Sequence, residues 1–228
     1  MNNVNFVTGT KKVYRLAGND WYAVEQDDSK VMLVDTDGCI SDEVLRIPWT
    51  YAEYANDEDA DNGQCILNYA NSLVDKHFSS IKYAIIPRNI DCKNDCGAGQ
   101  GKLQNAYMWA MSAYEFKQHR DFGEAIIDNA DDWVWTRTFD NKWKNINCAW
   151  CICDGFIDGN IDIVTSINVV APAFYLSKAA INHIAEDGEI ILKAPDQQVN
   201  VVQTGNNNIC LTNNGTLNFQ YTAIVTKK

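Results

Sequence analysis

An α+β fold, in which a mixed, curled sheet is flanked by two helices and followed by a β-rich appendage, is predicted by the order of patterns along this 228-residue chain. Three observations carry it. Apolar runs alternate with turn residues over 12–36, apolar residues recur at three-to-four spacing over 65–78, and Trp-rich or aliphatic runs separated by Gly and Asn turns fill much of the second half. At 46% hydrophobic residues, a chain of this length buries a full core.

The elements follow in order. Val13, Tyr14 and Leu16, then Trp21 to Val24, then Val31 to Val34 are apolar runs cut by Gly18-Asn19-Asp20 and Asp27-Asp28-Ser29, which predicts a meander of three antiparallel strands. Cys65, Ile66, Leu67, Tyr69, Ala70, Leu73, Val74 and Phe78 lie on one helical face, with the carboxylates of Asp57 to Asp61 before the positive N-terminal end. Ile81 to Ile86 reads as a short strand stopped by Pro87, and Gly97 to Gly101 as a flexible loop. Ala106 to Ser112 reads as a buried strand entering a helix, with Ser112 as N-cap and Glu115 at the third helical position. That spacing permits a capping box, in which each side chain satisfies the other residue's backbone N–H. Asp132 to Thr138, Asn147 to Gly155 with the Asp158-Gly159 turn, and Val169 to Leu176 supply the later strands; Trp21, Trp109, Trp133, Trp135 and Trp150 sit within apolar runs and are assigned to the core. Beyond about Asp187, short β-type runs are separated by Asn- and Gly-rich turns, which places a main domain at 1–186 and an appendage for attachment or oligomerisation at 187–228.

A Trp-rich strand ending in Arg137, a glycine-turned hairpin and a strand carrying Pro172-Ala173 resemble, in that order, a C-type-lectin-like domain. The specific likeness is to a poorly characterised family of bacterial and phage proteins, whose pieces read roughly Trp-Leu-Arg-Ser, a Gly hairpin and Val-Arg-Pro-Ala-Leu. The opening meander and the strand-to-helix step at Ser112 are also similar, so the likeness runs from Lys12 to Ser177. Ala171 departs from it, standing where the family usually carries arginine, so an ion pair made there is absent or moved. The resemblance implies a lectin-like scaffold whose function is contact. The same architecture underlies formylglycine-generating enzymes, so catalysis is weighed beside it.

A formal charge of −11 argues against a nucleic-acid partner and disfavours anionic sugars. No apolar run approaches the roughly 20 residues that cross a bilayer, so no membrane partner is expected. The opening Met1-Asn2-Asn3-Val4-Asn5-Phe6 lacks a basic segment followed by an apolar one, so export by an N-terminal signal is not expected. Eight cysteines are read by default as reduced, buried thiols. Cys92 and Cys96 with Cys148 and Cys151 are a weighed zinc set, but Cys148 and Cys151 point to opposite faces of a strand. An oxidase reading rests on Cys148, Cys151 and Cys153, which have no basic neighbour in sequence, while His77, His119 and His183 are read as helix-end or exposed. The acidic clusters Asp57, Glu58, Asp59, Asp61 and Asp154, Asp158, Asp162 have calcium-ligand chemistry, yet read as a helix-capping loop and a turn. No catalytic residue, metal or cofactor is therefore expected.

The loop 139–147 carries the candidate ligand residues Asp140, Asn141, Trp143, Asn145 and Asn147. An indole packs on the apolar face of a sugar while amides and carboxylates bond its hydroxyls. The alternative is that Trp143 closes over the core. The expectation is a non-enzymatic phage virion protein, a fibre, spike or capsid-surface component made in the host cytoplasm. Its expected partners are other virion proteins or its own copies and a host-surface glycan or protein. A thiol- or metal-dependent enzyme on the same scaffold and a bacterial surface adhesin are the alternatives.

Overall fold

The predicted meander forms. In the computed structural model, which describes residues 4–49, 64–92, 101–119, 133–140, 148–152, 161–163, 166–195, 200–204 and 208–212, β1 (Val13–Leu16), β2 (Asn19–Gln26) and β3 (Lys30–Asp35) pair antiparallel in turn. The first turn falls at Ala17 and Gly18, both at positive φ, so Asn19 and Asp20 belong to β2 and not to the turn. The second is set by Asp27, whose Oδ1 accepts the N–H groups of Ser29 and Lys30 at 2.7 and 2.9 Å.

Short pairs follow: β4 (Cys39–Ile40) with β5 (Glu43–Val44), then β6 (Arg46–Pro48). The helix α1 spans Gln64–His77, and Lys76 complements the negative end of its dipole. The carboxylates expected before α1 lie outside the described residues. Its apolar face, from Cys65 to Val74 and on to Phe78, is buried. Trp21 meets Phe78 edge-on at 5.6 Å and Phe174 at 4.8 Å, and such contacts add about 0.5–1.5 kcal/mol beyond area burial.

The strand expected over Ile81 to Ile86 is largely a 3-10 helix, Ser79–Ala84; only β7 (Ile85–Ile86) is extended. The Ile81 N–H donates to Phe78 O at 3.0 Å, continuing the coil of α1 before Pro87 intervenes. Next come β8 (Arg88–Asp91), β9 (Lys102–Ala106), β10 (Trp109–Ala110) and α2 (Ala113–Gln118). The Gly97 to Gly101 loop lies outside the described residues except for Gly101, whose carbonyl accepts the Cys92 N–H at 2.8 Å. The later strands are β11 (Val134–Asp140), β12 (Cys148–Ile152), β13 (Ile161–Ile163), β14 (Ile167–Val169), β15 (Pro172–Ser177), β16 (Ile181–Ile184) and β17 (Ile190–Leu192).

The fold is mostly β with few helices. Among the described residues the strands form two main sheets, where the sequence predicts one mixed, curled sheet. One runs β1-β2-β3-β15-β10, with β7 also on β15, and is antiparallel throughout. The other runs β13-β12-β11-β14-β6 and is mixed, because β14 pairs parallel to β11 through Val169 and Val134. The apolar run 169–176 therefore serves both sheets: Val170 and Ala171, both buried, hand the chain from β14 to β15.

The contact pattern divides the chain into Met1–Lys193 and Ala194–Lys228. Sequence placed the change near Asp187, but β17 pairs back on β16 through Ile190 to Leu192. In the second unit, β18 (Asn200–Thr204) and β19 (Asn208–Thr212) pair antiparallel; the intervening 205–207 and the run 217–225 lie outside the described residues.

Trp21, Trp109, Trp135 and Trp150 are buried as expected, and Trp49 joins them. Trp133 does not. It is 37% exposed: its carbonyl accepts the Val169 N–H at 2.9 Å, but its side chain lies outside the enclosure that covers Val134 to Thr138. Cys65, Cys92 and Cys151 are buried, as the small-hydrophobe role read for them expects, and Cys39 is half-buried.

Gly38 joins the end of β3 to the second sheet. It sits at φ +70°, and its carbonyl accepts the Leu45 N–H at 2.8 Å. A Cβ there would stand 1.9 Å from Val169 Cγ1. Gly38→Ala is expected to lower stability by about 1–3 kcal/mol through overpacking, measured by urea denaturation, with an additional cost from the left-handed backbone.

Candidate functional site

The capping box read from sequence is present. Ser112 Oγ accepts the Glu115 N–H at 3.1 Å, and Glu115 Oε2 accepts the Ser112 N–H at 2.9 Å. A six-residue helix gains little from propagation, so its ends and packing decide whether it forms. Ala113 and Phe116 bury its inner face, and the Ala113 N–H donates to Thr138 Oγ1 of β11 at 3.0 Å.

The same carboxylate holds two guanidinium groups. Arg137 Nη1 donates to Glu115 Oε2 at 2.6 Å and to Ala110 O at 2.8 Å, and Arg88 Nη1 donates to Glu115 Oε1 at 3.0 Å. Arg137 is 3% exposed and Glu115 16%. Burial pushes the Glu115 carboxyl upward, but the charge and hydrogen bond of Arg137, the charge of Arg88 and the Ser112 N–H outweigh it and hold the group below the ordinary 4.5. Arg137 is thus an internal tie between the end of the first sheet and the second. Its presence after Trp133 and Trp135 was visible in sequence; its partner was not.

Above this pair lies a polar cleft of about 330 Å³, bordered by β2, β3, β8, β15 and α2. Arg88 stacks over the Trp109 ring at 4.8 Å, and that ring meets Tyr175 at 5.2 Å. The Tyr175 hydroxyl donates to Glu25 Oε1 at 2.8 Å, and His119 Nε2, at the end of α2, lies 3.7 Å from Glu25 Oε2. The His119 contact holds Glu25 below the ordinary 4.5 despite partial burial, with help from Tyr175. Burial, then the neighbouring Glu25 carboxylate, pushes the Tyr175 phenol well above its ordinary 10.0. A second hollow of about 210 Å³ adjoins at Glu25 and Tyr175, with Lys30 Nζ 3.8 Å over the Tyr175 ring.

Of the candidate ligand residues, Asp140 ends β11, with its backbone paired to Cys148. Asn141, Trp143, Asn145 and Asn147 lie outside the described residues, so the cleft and that loop are separate candidates. Cys96 and Cys153 also lie outside, as do both acidic clusters apart from the backbone of Asp162 in β13. Among the described residues, no group of three or more His, Cys, Asp or Glu is arranged to hold a metal. His77 and His119 fall at helix ends, as read, and His183 on β16. The residues that sequence reasoning missed are Glu25, Arg88 and Tyr175, which lie far apart in the chain and which no local sequence pattern brings together.

No family model, curated protein or solved structure matches the chain. Removing the shared carboxylate leaves two guanidiniums facing each other without their counter-charge. Glu115→Ala is expected to lower stability by about 3–5 kcal/mol in denaturant melts, and Glu115→Gln by less because the cap acceptor is kept.

Proposed function

We propose that the chain is a non-enzymatic phage virion protein that presents a C-type-lectin-like domain for recognition of a host surface or of neighbouring subunits. The observation that carries this reading is the pairing of β15, late in the main unit, with β3, early in it, over five residues from Ala173↔Val34 to Ser177↔Lys30. Between them the chain passes through α1, α2 and the β11–β12–β13 antiparallel strands. Pairing an early strand with a late one while a second sheet is built from the chain between them supports the lectin-like scaffold that the resemblance implies. It also accommodates the departure at Ala171: that residue is buried, and Arg88 supplies a guanidinium to Glu115 from another strand.

The chemistry of the cleft favours contact over turnover. Both oxygens of Glu115 are engaged, and the Tyr175 hydroxyl is committed to Glu25 and resists deprotonation. A general base or nucleophile needs a group that exchanges protons near neutral pH, and neither of these does. A two-sheet scaffold suits presentation of a surface to a partner, and repeated copies on a particle would add avidity to a weak single site.

Mass spectrometry of gradient-purified particles tests the assignment. The protein is expected to co-sediment with intact particles in multiple copies and to resist removal by salt washing. Confinement to the soluble fraction of the lysate, with none in particles, would contradict it.

A further inference from the structure

We propose that the cleft over Arg88 and Glu25 is a binding site for an uncharged saccharide, held by side-chain donors and acceptors without a bridging cation. This rests on the recognition reading above and supplies its ligand class.

The argument starts from what the cleft leaves unfilled. Arg88 spends Nη1 on Glu115, and among the described residues its Nη2 and Nε meet no acceptor. Asn89 Oδ1 accepts the Asn105 N–H at 3.0 Å, which leaves its amide donors unengaged by the described residues. Gln118 is exposed on α2, and its side-chain amide has no hydrogen-bond partner among the described residues. On the acceptor side stands Glu25, whose Oε1 takes one hydrogen bond from Tyr175 and whose Oε2 has His119 at 3.7 Å. These donors and acceptors are held in place before any ligand arrives: Arg88 is fixed by Glu115 and the Trp109 face, Glu25 by Tyr175 and His119.

Charge then selects the ligand. An anion would meet Glu25, Asp91 and Glu115, and a cation would meet Arg88 and Arg137, so either sign is opposed from within the lining. A hydroxyl donates and accepts at once, and a ring carrying several of them satisfies both sets without introducing charge. Tyr114 completes the fit. It lines the cleft, is 50% exposed and sits one turn from Gln118 on α2, where its ring can cover the apolar face of a pyranose. A volume of about 330 Å³ lies at the low end for small-molecule sites, and the adjoining 210 Å³ hollow extends the floor past Glu25 and Tyr175 for a second ring.

The test is titration calorimetry of the full chain with lactose, maltose, cellobiose and N,N′-diacetylchitobiose, in buffer containing EDTA. Chitobiose and digalacturonic acid serve as cationic and anionic counterparts. At least one neutral disaccharide is expected to bind in the millimolar range and its charged counterpart more weakly. Tyr114→Ala is expected to weaken that binding about tenfold, the equivalent of one stacking contact, with an unchanged melting temperature. Gln118→Ala, also at the surface, is expected to weaken it by a smaller factor. Absence of binding by all four neutral sugars, tighter binding of a charged counterpart, or full affinity in both variants overturns the inference. Particles that carry the protein while it binds no saccharide sink this inference and spare the recognition reading; saccharide binding by a protein absent from particles does the reverse.

Discussion

Two guanidiniums sharing one buried carboxylate are the constraint on which the main unit depends. Glu115 receives Arg137 from β11 and Arg88 from β8 while capping its own helix at Ser112. A charge in this setting is costly unless fully compensated, and breaking one partner exposes that cost. The consequence is geometric. The end of β10, the start of α2 and the middle of β11 are held at one point, and Arg137 reinforces it with backbone and side-chain hydrogen bonds to Met111 and Ala110. The tryptophans extend this joint. Trp49 Nε1 donates to Thr136 O at 2.8 Å and Trp135 Nε1 to Ile47 O at 3.0 Å, so the indoles that fill the second sheet's core also tie β6 to β11.

The cleft follows from the same joint. Once Glu115 fixes Arg88, the guanidinium lies over Trp109, and Trp109 in turn packs beside Tyr175, which orients Glu25. Each group is therefore positioned by an interaction that also holds the fold. A surface assembled this way is mixed in sign, which is the basis of the neutral polar ligand proposed for it.

Local patterns were legible in the sequence and long-range ones were not. The meander, α1 and the Ser112–Glu115 box rest on residues within a few positions of each other, where alternation, helical spacing and capping act directly. The partner of Arg137 lies 22 positions away, and that of Arg88 lies 27 away, so no local rule connects them. The apolar run 169–176 read as one strand because hydrophobicity alone does not mark the point at which a chain leaves one sheet for another. Trp133 read as core for a similar reason: composition assigned it to the run, whereas its side chain lies at the exposed start of β11. The cleft was illegible because its floor draws on β2, β8, α2 and β15, elements scattered from Glu25 to Tyr175.

The state of the Glu115 carboxyl is the most direct measure of the account. Its folded pKa below the ordinary 4.5 means that the ion pair stabilises the protein fully above that value, with the contribution lost as pH falls through the folded pKa. A 13C-detected NMR titration of the side-chain carboxyl of Glu115 is predicted to show a midpoint below 4.5. A midpoint at or above the ordinary glutamate value would mean that the two guanidiniums do not hold the carboxylate, and the joint between the sheets would need another explanation.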